Sequence, residues 1–258
     1  MSAPSLVVNG LTVRFGGLTA LAALDFVLSP GEFVGLIGPN GSGKTTFFNA
    51  LTGIYSPASG SVTLAGSDVT GLRPQKIYDF GMTRTFQRLR LASSLSVFDN
   101  LMIGNHRNLA HGIMGNLFGR QRLKREIEIN IEKSRRLLEQ FSAPLASRLF
   151  DLVSQLPMID RRRVEVCRAL ISEPKILLLD EPSAGMTHEE TRALMDDLLA
   201  SRERTPGLAI VLIEHEMGVI ERVTERCVVL NYGEKIAEGS YRDVANDSRV
   251  RAAYLGED

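Results

Sequence analysis

Cysteine is scarce in this chain, and what there is lies scattered. Cys167 and Cys227 are its two cysteines, with no Cys-x-x-Cys spacing and no histidine cluster beside them. That excludes a disulfide framework and a zinc site of ordinary spacing, and predicts reduced thiols packed in a core, in a reducing compartment. Net charge is absent as well. Thirty basic side chains meet thirty acidic ones, so no global field draws the chain to nucleic acid or to an anionic bilayer, and nucleic acid is not an expected partner. Long apolar runs are missing too. Residues 208–213 and 176–179 are far too short to span a bilayer, so any membrane role is borrowed from a partner. Residues 1–10 lack the basic-then-apolar pattern of a secretion signal, which predicts a protein that stays in the cytosol.

What the chain does have is a glycine-rich turn in a telling register. Its 258 residues suffice for one large α/β domain, or a core with a smaller lobe. Gly38-Pro39-Asn40-Gly41-Ser42-Gly43-Lys44-Thr45-Thr46 fills every fixed position of the phosphate-cradling pattern G-x-x-x-x-G-K-[ST]. The apolar run Phe33-Val34-Gly35-Leu36-Ile37 before it suits a buried parallel strand, and Thr46-Phe47-Phe48-Asn49-Ala50-Leu51 can open a helix whose first amides point back at an anion. Glycines let successive N–H groups converge, Lys44 adds a mobile positive charge, and Thr45 supplies a hydroxyl for Mg²⁺. The bland alternative is a turn that binds nothing. A strand in front and Lys-Thr in register weigh against it and predict a nucleoside triphosphate site.

Around this turn the chain alternates. Residues 6–8, 11–15 and 26–28 read as short β pieces separated by turns, and residues 59–66 as another strand, together an antiparallel leaf against a parallel core. From residue 73 to about 141 the pattern is helical and charged, interrupted by Gly112, Gly115 and Gly119. There Leu123, Ile127, Ile131, Leu138 and Phe141 fall near one helix face, and Ala143-Pro144 ends the helix. After Leu156 come a helix at 161–172, a strand at 175–180, a helix at 189–204 and a strand at 208–214. The tail from Ser240 reads as a short helical cap. Both strands are continuous apolar runs, as expected where helices cover both faces of a parallel sheet.

The strand ends carry the chemistry. Ile176-Leu177-Leu178-Leu179-Asp180-Glu181-Pro182 sets two carboxylates at the end of a buried strand, where Asp180 can hold Mg²⁺ and Glu181 can orient or deprotonate an attacking water. Acids at a strand end also serve as plain turn or cap residues; the phosphate loop earlier in the chain tips the balance. His215, in Ile213-Glu214-His215-Glu216, emerges at the same sheet edge and could reach a γ-phosphate, although a lone histidine between acids is commonly a surface residue. Gln87 says nothing in isolation. No Asn-Lys-x-Asp motif reads guanine.

Taken in order, Phe15, the phosphate loop, Gln87, Asp180 with Glu181, the turn Ala184-Gly185-Met186-Thr187 and His215 resemble the ATP-binding subunit of an ABC transporter nearly end to end. The resemblance implies an α/β P-loop NTPase core with a parallel sheet, an antiparallel β leaf and a helical lobe. It makes residues 1–258 a single domain, with 1–88 and 161–258 as the nucleotide-binding core and 89–160 as the lobe. It implies ATP and Mg²⁺ as cofactors: Phe15 stacks on adenine, Gly38 to Thr46 wrap the phosphates, Thr45, Gln87 and Asp180 serve the metal, Glu181 is the general base and His215 senses the γ-phosphate. Integral membrane permease subunits, indirectly a periplasmic substrate-binding protein, and a peripheral place on the cytoplasmic face of the inner membrane follow from the same likeness.

Within the family, Arg14-Phe15-Gly16-Gly17-Leu18, Thr83-Arg84-Thr85-Phe86-Gln87, the glycine-interrupted segment 105–125 and the tail Ala253-Tyr254-Leu255-Gly256-Glu257 look like the larger ATPase of branched-chain amino-acid importers. Lipopolysaccharide-export ATPases share the Arg161-Arg162-Arg163-Val164-Glu165 style of helix. Other readings are a non-transport ABC ATPase acting on DNA or ribosomes, disfavoured by neutral charge and a single phosphate loop, and a binding-only regulatory subunit.

One family motif is missing. Leu-Ser-Gly-Gly-Gln should stand where this chain has Leu156-Pro157-Met158-Ile159-Asp160. In family dimers that segment binds the γ-phosphate held by the opposite subunit; here Pro157 removes a hydroxyl and a backbone donor, and Ile159 puts a branched side chain where backbone must approach. A carboxylate about 4 Å from a phosphate oxygen costs roughly 4 kcal/mol at an effective dielectric near 20, while as an N-cap Asp160 stabilises its helix by about 1 kcal/mol. Thr187-His188 also stands where Asn-Pro or Asp-Pro is usual. The expected assembly is therefore a heterodimer with a second ATPase subunit whose signature is intact.

Overall fold

The computed structural model describes residues 3, 5–109 and 120–255. Gly112, Gly115, Gly119 and the last three residues of the tail lie outside them. The chain forms two compact units, one of Met1–Arg84, Lys175–Pro182 and Thr205–Asp258, the other of Thr85–Pro174 and Ser183–Arg204.

The first unit holds two sheets. Strands β1 (Leu6–Phe15), β2 (Leu18–Leu28), β4 (Ser59–Leu64) and β5 (Ser67–Asp68) form an antiparallel leaf in the order β2-β1-β4-β5. The separate β pieces expected before residue 28 are two long strands. Register shifts between Val8 and Leu11, Leu11 and Val13, and Val13 and Arg14 absorb the turn-like residues without ending β1. The second sheet is β10-β9-β3-β8-β7-β6, built from β3 (Phe33–Ile37), β6 (Met82–Arg84), β7 (Ile176–Asp180), β8 (Ala209–Ile213), β9 (Arg226–Asn231) and β10 (Glu234–Gly239). All its pairs are parallel except β9 with β10. Every residue of β3, β7 and β8 is buried, which accounts for their apolar sequences, broken only by Asp180 at the end of β7.

Between leaf and core runs one apolar cluster. Leu6, Val8, Leu11 and Val13 of β1 and Leu21, Leu24, Phe26 and Leu28 of β2 join Phe47, Phe48 and Leu51 of helix α1 (Lys44–Leu51), together with Val34, Leu36, Leu178 and Val211. At about 25 cal/mol per Å² of apolar surface removed from water, this cluster is the main cohesive term of the unit. Strand β6 lies inside the segment from residue 73 whose pattern reads as helical and charged. Helix α2 (Pro74–Asp79) is brief, and the Gly81 carbonyl then accepts from the amides of Lys175 and Ile176, drawing β6 onto the sheet edge.

The second unit is helical: α3 (Val97–Gly104), α4 (Arg120–Phe141), α5 (Ala143–Ser147), α6 (Met158–Leu170) and α7 (His188–Arg204), with α6 packed on α3 and α7. Its limits differ from those of the lobe expected at 89–160, since α6 and α7 bury their apolar faces among helices of this unit. On α4 the buried residues are Asn130, Ser134, Leu138 and Phe141, whereas Leu123 and Ile127 are 39% and 44% exposed. The apolar stripe marked the right helix but only half of its packed face, because Asn130 is buried by bonding: Asn105 Nδ2 donates to its Oδ1 at 2.9 Å. Ala143-Pro144 does end α4, and Ser142 then caps α5, where proline fits the first turn.

Candidate functional site

Strands β3, β8 and β7 are neighbours and parallel, so their C-terminal ends open on one edge. After β3 comes the loop 38–43, after β8 the pair Glu214-His215, and at the end of β7 the pair Asp180-Glu181. Open parallel sheets place ligands at this edge.

The loop is built for close approach. Gly38 has φ +147°, and a Cβ there would stand 2.1 Å from the Leu230 carbonyl oxygen. Gly43 holds the N-cap of α1 at φ +106°, with no side chain capping the helix and no acid in its first turn. The helix thus presents its first amides uncovered by side chains. Ser42 Oγ is buried with no hydrogen-bond partner among the described residues, an orphan that an anion oxygen would satisfy. Lys44, 6% exposed, donates to the carbonyls of Gly38 at 2.7 Å and Pro39 at 2.9 Å. Burial holds its ammonium below the usual lysine range, against the pull of Glu181 and Asp180. The Thr45 side chain is exposed, Thr46 is half-buried and Asn40 is exposed.

The acid and histidine pairs meet at the same edge. Glu181 adopts φ +48°, unusual for a residue with a side chain, while its amide donates to the Ile213 carbonyl at 2.9 Å. This ties the end of β7 to that of β8. His215 Nε2 lies 2.7 Å from Glu181 Oε1. Asp180, 3% exposed, accepts from Arg84 Nη2 at 2.6 Å through Oδ2. Phe15 is 45% exposed at the end of β1 and meets Tyr55 edge-on, with ring centroids 5.0 Å apart.

Gln87 belongs to the second unit, where its side chain is exposed and its carbonyl accepts from Arg162 Nη2 at 3.2 Å. The same nitrogen donates to the Ala184 carbonyl at 2.9 Å, and Nη1 to Glu165 Oε2 at 3.1 Å, inside a buried ion pair. Arg162 therefore fixes the backbone of two motifs. The segment 156–160 departs from expectation: α6 begins at Met158 rather than Arg161, and Pro157 occupies the N-cap. Proline's fixed φ suits a helix entry. Asp160 is not the cap; it sits in the first turn, and its Oδ1 accepts from Arg163 Nη1 at 3.2 Å, while Arg163 Nε reaches Asp197 at 2.8 Å.

Sequence reasoning missed three partners: Arg84 on Asp180, Tyr55 on Phe15, and Arg162 beneath Gln87 and Ala184. Arg84 and Asp180 are 96 positions apart, and nothing in the sequence marks such a pair. Both cysteines are free and buried, and burial pushes the Cys167 thiol well up, as core packing predicts. Among the described residues no helix is long and apolar enough to cross a membrane, and no group of three His, Cys, Asp or Glu gathers to hold a metal. The oxygens of Thr45 and Asp180 suit a hard cation that completes its shell on phosphate and water.

This arrangement has known counterparts. Residues 21–184 match the ABC transporter family, and residues 234–258 match the family described as branched-chain amino acid ATP-binding cassette transporter. The high-affinity branched-chain amino acid transport ATP-binding protein LivG of Escherichia coli (strain K12) is 39% identical over 257 residues, covering 100% of both chains. BraF of Pseudomonas aeruginosa, described in the same words, is 36% identical over 258 residues, again covering 100% of both. A crystal structure of the ADP conformation of an ATP-binding cassette of an ABC transporter covers 99% of this chain and 100% of its own, with TM-score 0.84 and 27% identity. A nucleotide-free cassette gives TM-score 0.83 with 27% identity and the same coverage. The loop after β3, the acids after β7 and the histidine after β8 thus stand in a chain that belongs to the ABC transporter family, as an ATP-binding subunit.

Proposed function

We propose that this chain powers the import of branched-chain or related amino acids by binding and hydrolysing ATP at an interface with a second ATPase subunit. One observation carries the reading: three neighbouring strands end on one edge in the phosphate loop, the Asp180-Glu181 pair and His215. The names of the full-length relatives supply the substrate class.

Each residue has a role. Phe15 stacks on adenine. The amides of 38–46, the Ser42 hydroxyl and Lys44 bind the phosphates, with the Lys44 ammonium exchanging loop carbonyls for phosphate oxygen. Glu181 takes the proton of a water as its oxygen bonds to the γ-phosphorus; the bond to the bridging oxygen breaks, and ADP and phosphate leave. His215 holds the Glu181 carboxylate through Nε2 in the nucleotide-free site and turns its N–H to the γ-phosphate when ATP is bound. Mg²⁺, which the Thr45 hydroxyl and the Asp180 carboxylate would hold, would supply charge neutralisation on the phosphate oxygens.

Residues 1–258 act as a single ATPase domain on the cytoplasmic face of the inner membrane, docked on permease subunits fed by a periplasmic binding protein. The second ATPase subunit follows from 156–160. A proline at the N-cap of α6 contributes no hydroxyl, and Met158 and Ile159 stand where the family motif has glycines, so two copies of this chain would lack a competent signature. In reconstituted vesicles containing both ATPase subunits, permeases and binding protein, ATP-dependent leucine uptake is expected and is abolished by Glu181→Gln. Vigorous, concentration-dependent hydrolysis by the purified chain alone overturns the heterodimer.

A further inference from the structure

The segment Thr83-Arg84-Thr85-Phe86-Gln87 contains a residue to which the reading above gives no task. Arg84 closes the short edge strand β6, yet its guanidinium joins two other elements of the first unit, the end of β7 and helix α1 with its C-cap. Nη2 donates to Asp180 Oδ2 at 2.6 Å, and Nη1 to Asn49 Oδ1 at 2.6 Å and to Thr52 Oγ1 at 3.5 Å. Its central carbon lies 5.3 Å from the centre of the Phe48 ring. Both members of the ion pair are 4% exposed. Asn49 belongs to α1, the helix that Lys44 begins.

We propose that Arg84 is the positioning residue of the Asp180 carboxylate and its resident counter-ion, which a divalent cation at the nucleotide must share. The proposal rests on the reading of Asp180 as the carboxylate that serves Mg²⁺. A buried carboxylate needs a positive partner whether or not nucleotide is present. Arg84 provides one from the protein itself, and its planar fork fixes the carboxylate against α1 in a way a point charge cannot. The same fixed positive charge opposes a cation arriving at Asp180. The site therefore holds its shape when empty and binds divalent metal less tightly than a bare carboxylate would. A purely structural ion pair makes a different prediction: its loss weakens every state of the protein alike, with no selectivity for metal.

The discriminating quantity is the ratio of the ADP dissociation constant in EDTA to that in saturating Mg²⁺, read by calorimetry on the full chain; it measures the coupling between cation and site. For Arg84→Gln this ratio is expected to rise about tenfold over wild type, because the carboxylate, with less positive charge beside it, repels ADP alone and attracts Mg²⁺. For Arg84→Lys, which keeps the charge but not the fork, it stays within about twofold of wild type. Should Arg84→Gln fail to fold, Arg84→Met, uncharged and of similar length, carries the test. A ratio unchanged or lowered in the folded uncharged variant, with both constants moved together, shows the pair to be structural and overturns the proposal. Asp180→Asn separates this failure from that of the reading beneath it. A ratio that falls toward one supports Asp180 at the metal, and an unchanged ratio overturns that reading and the proposal with it.

Discussion

His215 Nε2 stands 2.7 Å from Glu181 Oε1, although the two residues are 34 positions apart and close different strands. The contact needs β7 and β8 to end level, which the bond from the Glu181 amide to the Ile213 carbonyl secures. It also needs the left-handed backbone of Glu181, a strained conformation of the kind held at working sites. With Glu181 as general base, Glu181→Gln lowers kcat of the complete transporter by about 10² to 10⁴. The ADP dissociation constant of the purified chain stays within about threefold, because the carboxylate bears on the water and not on the diphosphate. Single-turnover hydrolysis and calorimetry measure the two effects separately.

Lys44 links nucleotide to pH. Burial holds its folded pKa below 10.5, so between those values the unfolded chain binds more protons and stability rises with pH; below the window the ionised ammonium is a constant cost. Lys44→Met should abolish this slope in nucleotide-free protein. At pH 7 its Tm should equal or exceed that of wild type, while added MgATP no longer raises it. A pH series of thermal melts with and without nucleotide checks both parts.

Restoring the signature tests the assembly. Asp160 is held by Arg163, so the defect is assigned first to Pro157 and Ile159. The quadruple variant Pro157→Ser, Met158→Gly, Ile159→Gly, Asp160→Gln should hydrolyse ATP without a second ATPase subunit, with a rate rising with the square of protein concentration at low concentration. Wild type under the same conditions stays near background.

The Arg162 and Glu165 pair sets a stability prediction. Glu165 is 2% exposed and accepts from Arg162 and from the Arg90 amide. Glu165→Ala leaves a buried guanidinium without its acid and should cost about 3–5 kcal/mol of unfolding free energy. Because Arg162 also holds the carbonyls of Gln87 and Ala184, protease cutting near both residues should increase together. Denaturant melts and limited proteolysis report these outcomes.

The fold was legible wherever local pattern and burial coincide. Residues 33–37, 176–179 and 209–213 are apolar throughout because both faces of their strands are covered, and Gly38 and Gly43 stand where the loop passes close to other backbone. Tolerance of irregularity hid the rest. β1 runs through Gly10 by shifting register, so a turn signal became a bulge. Helix α6 starts three residues before its apolar pattern because proline at the N-cap needs no donor there. Asp160, a capping residue by type, turned to Arg163 instead. The site was readable as motifs, but Arg84, Tyr55 and Arg162 act through pairings across the fold that leave no local trace.

The core sheet ends on one side in the three residues Met82–Arg84 and on the other in Glu234–Gly239, which carries Glu234, Lys235 and Glu238. A brief strand offers few bare peptide groups, and a charged one penalises an incoming chain. Strand addition from neighbouring molecules is thereby discouraged at both borders. A polypeptide built to await other subunits can then accumulate before they arrive without clumping into fibrous or amorphous aggregate.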